Sequence, residues 1–189
     1  MSKTLSMVAV LALATSSTFA LAGEKSGLQP GDSVPAFVVE KCAGNANDGV
    51  EKGATLCYRC KLGGRPVVAV FTRSADENVA NLMKEIDTVV EKYSDKQAAS
   101  FVNLIGKDAD ALKQDASKLV EHSGAKNVAV VVPNDNENGP ASYKLNPKVD
   151  VTVLVYNRSK VQANHSLSAK ELNKAAIAQI ISDAEKMLK

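Results

Sequence analysis

Val67-Val68-Ala69-Val70-Phe71 is an unbroken β-prone apolar run, and Val128-Ala129-Val130-Val131-Val132 repeats the pattern downstream. A strand that is apolar on both sides has to be covered on both sides, so the two runs predict the interior of a sheet with layers above and below it. What lies between them supplies the cover. Val79, Leu82, Met83, Ile86, Val89, Val90 and Tyr93 recur at helical spacing behind Ser74-Ala75-Asp76-Glu77, which reads as a capping box, so a helix is expected from about Ala75 to Tyr93. Phe101 to Ile105 is the next strand. Asp108 then caps a helix carrying Leu112, Ala116, Leu119 and Val120, and Gly124 stops it. Strands alternating with helices at this spacing predict parallel strands joined by crossovers.

The flanks are less regular. Leu28 to Asp32 is a turn, and Pro35 introduces a short first strand, Ala36 to Glu40. Lys41 to Arg65 holds Gly44, Gly49, Gly53, Gly63 and Gly64 with Asn45, Asn47 and Asp48, which predicts a long irregular loop or loose hairpin. Pro133 to Asp150 is rich in Asn, Gly and Pro, with one helical turn expected near Ala141 to Lys144. Val151 to Tyr156 and Val161 to His165, joined by Asn157-Arg158-Ser159-Lys160, make a hairpin. Ser168-Ala169-Lys170-Glu171 reads as a second capping box with Leu167 stapled to Leu172. It opens a final helix whose Leu172, Ala176, Ile180 and Ile181 face inward.

The first residues follow the order of a secretory signal: Lys3, the apolar stretch Met7 to Ala14, then small residues ending Ala20-Leu21-Ala22. Cleavage is expected after Ala22, which divides the chain into a signal peptide (1–22) and one domain (23–189) that is secreted or periplasmic. The alternative is a membrane anchor. Thr4 to Gly23 only just reaches spanning length and is diluted by Thr and Ser, so no membrane association is expected after cleavage. The formal charge of +2, with acids and bases interspersed, and an aromatic content of 4% without tryptophan argue against a nucleic-acid partner or a base-stacking platform.

All three cysteines fall in the glycine-rich segment. Cys57 and Cys60, two residues apart, can close a small disulfide, and an exported chain would keep it oxidised. Three readings stay open. The pair is a redox-active dithiol, with Arg59, Lys61 and Arg65 close in sequence to favour an ionised thiol. Or it is a structural bridge tacking down the loop, the usual fate of exported cysteines. Or Cys42, Cys57 and Cys60 are three soft ligands for copper(I) or zinc, although a second ligand pair is missing and His122 and His165 read as ordinary histidines. Cys42 is free, paired between chains, or a third thiol competing with the other two. Lys61 stands where a covalent haem motif needs histidine, so no cofactor is expected. Asn157-Arg158-Ser159 and Asn164-His165-Ser166 fit the glycosylation triplet.

The succession of strand, loop, strand, helix, strand, helix, strand, hairpin and helix resembles the thioredoxin fold, in particular its peroxiredoxin-like branch. Gly31-Asp32-Ser33-Val34-Pro35-Ala36-Phe37 is similar to the G-D-x-x-P-x-F opening of the alkyl hydroperoxide reductase and thiol-specific antioxidant family. The resemblance implies an α/β three-layer sandwich, a central mixed sheet with helices on both faces. It also implies a place for chemistry, the end of the central strand, where a helix N-terminus stabilises a thiolate. That place reads Thr72-Arg73-Ser74-Ala75, without cysteine, and leaves Arg73 to steady an anion there or stand exposed. The proline that thioredoxins place before the hairpin strand is absent from Val151-Thr152, with Pro147 four residues early. The dithiol is thus displaced to a position before the central strand, toward its other end and away from any helix terminus. By analogy with the C-x-x-C order, Cys57 attacks and Cys60 resolves, exchanging disulfides with other exported proteins. The alternative is a non-enzymatic binding or interaction module with a structural disulfide or soft-metal site.

Overall fold

The computed structural model describes residues 24–189, so the expected signal segment 1–22 lies outside the described residues. Among the described residues no helix is long and apolar enough to cross a membrane. The strands are β1 (Val39–Gly44), β2 (Thr55–Leu56), β3 (Val67–Thr72), β4 (Ala99–Leu104), β5 (Val128–Pro133), β6 (Val151–Asn157) and β7 (Lys160–Leu167). The helices are α1 (Tyr58–Leu62), α2 (Glu77–Lys92), α3 (Ala109–Ser123) and α4 (Lys174–Leu188). One mixed sheet runs β2-β1-β5-β4-β3-β6-β7. β3, β4 and β5 are parallel, as the alternation of strands and helices requires, while the other strand pairs are antiparallel.

Alternation along each strand splits the core in two. Val68, Val70, Val102, Val130 and Val153 point to the face covered by α2, α3 and α4. Val67, Ala69, Phe71, Phe101, Val131 and Leu154 point to the other, closed by Leu28, Val34, Phe37 and Tyr143 and by Tyr58 of α1. The layers above and below a central mixed sheet are therefore present but unequal: three long helices on one face, and on the other α1, a 3-10 turn at Ala141–Tyr143 where one helical turn was expected, and loops. Both runs buried on two sides, β3 and β5, hold interior positions in the sheet.

Three boundaries differ from the sequence reading, each for a local reason. The first strand is Val39–Gly44 rather than 36–40, because Lys41 enters the interior with its ammonium fully partnered and does not end the strand. Gly44 closes it at φ 72°, where a Cβ would strike the Val128 carbonyl oxygen. α2 is capped by Asp76, whose Oδ1 accepts from the Val79 amide, while Ser74 donates its hydroxyl to the same carboxylate. α4 begins only at Lys174, capped by Asn173. Ser168 and Glu171 do bond to each other, but they close a separate turn ahead of it. Ile177, Ile180, Ala184 and Leu188 are the buried residues of α4, and Leu172 is buried just before it.

Candidate functional site

Within the segment expected to be irregular, β1 and β2 pair as a short antiparallel hairpin, Val39 opposite Leu56 and Glu40 opposite Thr55. The chain leaves β2 at Cys57 and turns at once into α1. Cys57 and Cys60 are joined as a disulfide with Cα atoms 5.2 Å apart. Cys57, in extended backbone (φ −109°, ψ 102°), is the N-cap of the turn, and its Sγ accepts the Cys60 amide at 3.1 Å. The Lys61 amide bonds the Cys57 carbonyl (2.9 Å) and the Gly63 amide the Arg59 carbonyl (3.1 Å). Cys60 is exposed and Cys57 half-buried, so solvent reaches the bridge.

This corrects the placement expected from sequence. Leu56 lies opposite Val39, which lies opposite Pro133 at the C-terminal end of β5. Cys57 therefore departs from the row of C-terminal strand ends rather than from the opposite one, and the displacement is sideways. Three strands separate β2 from β3, four interstrand steps or roughly 19 Å at about 4.8 Å each. The dithiol also has a helical turn of its own, which the glycine-rich sequence concealed.

The basic neighbours are not where proximity in sequence would put them. Arg59 turns under the sheet and donates Nε to the Val34 carbonyl at 2.9 Å. Lys61 and Arg65 line a polar cleft of about 490 Å³ with Asn45, Asp48 and Ser94. Tyr58 is buried against the core, its ring stacked on Phe101 at 5.5 Å, and its hydroxyl donates to Asp48 Oδ2 at 2.6 Å. Burial, and then Asp48, push its phenol well above the usual tyrosine range.

Cys42 does not join the pair. It is 2% exposed in the cluster under the helices, with its thiol donating to the Glu40 carbonyl at 3.4 Å, while Tyr58 packs in the cluster on the opposite face. Burial first, and the Glu40 carboxylate second, raise the Cys42 thiol. A three-sulfur metal centre would need all three cysteines on one side, and among the described residues no group of three His, Cys, Asp or Glu is placed to hold a metal. His122 is exposed near the end of α3. His165 lies with Nε2 3.3 Å from an Asp183 carboxylate oxygen, off the line of a hydrogen bond. The Asn164 amide is spent on the Ser26 and Leu28 carbonyls (2.7 and 2.6 Å), which leaves it unavailable to a glycan in this conformation.

At the end of β3, where the resemblance puts chemistry, Arg73 donates its amide to the Asp150 carbonyl (2.9 Å) and Nη1 to the Glu137 carbonyl (3.0 Å). The first turn of α2 is already served by the Asp76 carboxylate. The feature that sequence reasoning missed is Lys41 with Asp48: seven residues apart in a loop, they carry no periodic signal.

No protein-family model matches the chain, and no curated protein matches it. Solved structures do. The thioredoxin domain of a thiol-disulfide oxidoreductase from Bacteroides vulgatus superposes with a TM-score of 0.60 at 14% identity, over 86% of this chain and 99% of that one. AhpC of Mycobacterium tuberculosis gives 0.62 at 10% identity, over 86% and 99%. Peroxidoxin BcpB from the same organism gives 0.58 at 16% identity, over 85% and 98%. The fold is thioredoxin-like, of the kind found in thiol-disulfide oxidoreductases and peroxiredoxins. This chain carries a CxxC disulfide at the edge of its sheet.

Proposed function

We propose that the chain is an exported thiol-disulfide exchange protein whose reacting pair is Cys57 and Cys60, acting on disulfides of other exported proteins. The observation that carries this reading is a solvent-reached CxxC bridge at the start of a helical turn, with the Cys60 amide aimed at Cys57 Sγ. An amide donated to sulfur stabilises the thiolate over the thiol, so Cys57 is the sulfur prepared to attack and to leave.

In the reduced protein the Cys57 thiolate attacks one sulfur of a partner disulfide, forming a mixed disulfide and expelling the partner's other sulfur as thiolate. Cys60 loses its proton and attacks Cys57 Sγ. The intramolecular bridge closes and the partner leaves as a dithiol that has gained two electrons and, from solvent, two protons. An external dithiol protein or small thiol returns those electrons to the Cys57–Cys60 bridge.

The reading is tested by equilibrating the protein with a thiol-disulfide couple. A potential above about −300 mV, outside the range of ordinary structural disulfides, is expected. Cys60→Ala, which leaves Cys57 without a resolving sulfur, should accumulate mixed disulfides with exported proteins. A second reading, a structural clip that holds α1 between β2 and β3, is favoured by the course of Arg59, whose guanidinium goes to Val34 instead of the sulfurs. A potential below that threshold, with no captured partner, establishes the clip and removes the exchange reading. Export is tested separately by the mass of the mature chain, with Gly23 expected at its N-terminus.

A further inference from the structure

Lys41 and Asp48 form an ion pair whose side chains are 3% and 11% exposed. Every donor of the ammonium is used: Nζ bonds Asp48 Oδ1 (2.7 Å), the Asn45 carbonyl (2.7 Å) and the Val50 carbonyl (2.8 Å). The carboxylate is equally occupied, its Oδ1 also accepting the Val50 amide (2.8 Å) and its Oδ2 the Tyr58 hydroxyl (2.6 Å). A buried pair of this kind seldom adds net stability over an apolar replacement, so stability alone does not account for it. Among the described residues, its side-chain hydrogen bond beyond its own loop is to Tyr58, the residue between Cys57 and the rest of α1.

We infer that Lys41, Asp48 and Tyr58 are positioning residues that hold the Cys57–Cys60 turn in closing geometry after its disulfide opens, and thereby set the reduction potential of the pair. This rests on the exchange reading above for its biological use, but not for its test. α1 has five residues, too few to persist as an isolated helix once the covalent staple is gone. The Tyr58 ring on Phe101 and its hydroxyl on Asp48 remain to keep the two thiols at bonding range. How readily a dithiol closes depends on the effective concentration of one sulfur at the other. Loosening the anchor lowers that concentration in the reduced state and leaves the oxidised state stapled. The equilibrium then moves toward dithiol, and the potential rises.

The test equilibrates wild type, Tyr58→Phe and Ile180→Val with reduced and oxidised dithiothreitol. Two electrons and two protons pass from the reagent's dithiol to the protein disulfide, leaving the protein as dithiol and the reagent as its cyclic disulfide. Tyr58→Phe keeps the ring and deletes only the hydroxyl bonded to Asp48. Ile180→Val removes a methylene from the helix-covered face and lowers stability without touching α1. A tenfold shift toward dithiol in Tyr58→Phe, about 30 mV, is expected, with Ile180→Val unmoved. Amide exchange at Cys60 to Gly63 should also quicken in reduced Tyr58→Phe and not in reduced Ile180→Val. An unmoved potential in Tyr58→Phe, or equal shifts in both variants, overturns the inference. Dithiothreitol also reduces structural bridges, so the difference between variants decides the matter wherever the wild-type value falls. A wild-type value in the structural range would refute the exchange reading alone.

Discussion

Lys41→Met keeps the stem of the lysine in its groove and deletes the ammonium. Three acceptors lose their donor at once: Asp48 Oδ1 and the carbonyls of Asn45 and Val50. Asp48, 11% exposed, becomes a buried carboxylate supported only by the Val50 amide and the Tyr58 hydroxyl. Removing one partner of a buried pair costs about 3–5 kcal/mol. For a chain of this size that corresponds to a fall in Tm of roughly 6–20 °C, at about 2–4 °C per kcal/mol. The matched control is Lys113→Met, which breaks the Glu40–Lys113 pair on the other side of the same strand, with side chains 33% and 39% exposed. Solvent screens that pair, and its loss costs about 0–1 kcal/mol. Urea denaturation with linear extrapolation measures both. Adding Asp48→Leu to Lys41→Met removes the stranded charge but also strands the Val50 amide and the Tyr58 hydroxyl, so it should recover only part of the loss. If Lys41→Met costs under about 1 kcal/mol, no more than Lys113→Met, the account of the buried pair is wrong.

Three further outcomes are expected. Cys42 is buried with a raised thiol, so at pH 8 iodoacetamide should label no cysteine of the oxidised native protein and one after denaturation; rapid native labelling would contradict its placement. Burial pushes the phenols of Tyr58, Tyr143 and Tyr156 upward. Above about pH 10 the unfolded chain releases these protons and the folded one retains them, so stability should fall with rising pH and the ultraviolet signal of these phenolates should appear only with unfolding. Burial lowers His165 more than Asp183 raises it. Its neutral form favours the folded state above the unfolded value of about 6.5, and that contribution is lost as pH falls below it. His165→Gln should flatten the acid limb of the stability curve below about pH 6.5, and an unchanged limb would refute the assignment.

The scaffold was legible because its signals are periodic and mutually consistent. The runs at Val67 and Val128 became interior strands, and the hairpin turned at Arg158 and Ser159, both at positive φ. Asp108 and Gly124 bound α3 as their chemistry predicts. The site was legible only as a pair of cysteines. A two-residue strand and a one-turn helix are too short to carry a period, and glycines on either side mark the segment as irregular. Lys41 hid the extent of β1, because a lysine in an apolar stretch signals solvent until its partner is known. Cation proximity misled for a related reason. Arg59, Lys61 and Arg65 sit near Cys57 along the chain, but Arg59 is bonded to the Val34 carbonyl while Lys61 and Arg65 line a separate cleft.

The end of β3 and the edge of the sheet at β2, two places where a helix start could support a thiolate, are used differently. At β3, Asp76 caps α2 with its own carboxylate, which accepts the Val79 amide and the Ser74 hydroxyl, so a negative charge already stands at this helix start. A cysteine introduced there would meet a fixed negative charge, which opposes ionisation. At the sheet edge, the first turn of α1 contains no acidic residue, and the Cys60 amide is directed at sulfur. The buried carboxylate of Asp48 is paired with Lys41 and accepts the Tyr58 hydroxyl. A dithiol at the displaced position therefore has a donor without the competing anion that Asp76 presents after β3. Arg73→Cys should accordingly give a thiol that alkylates no faster than an ordinary exposed cysteine at neutral pH, and faster alkylation there would refute the opposing effect assigned to Asp76.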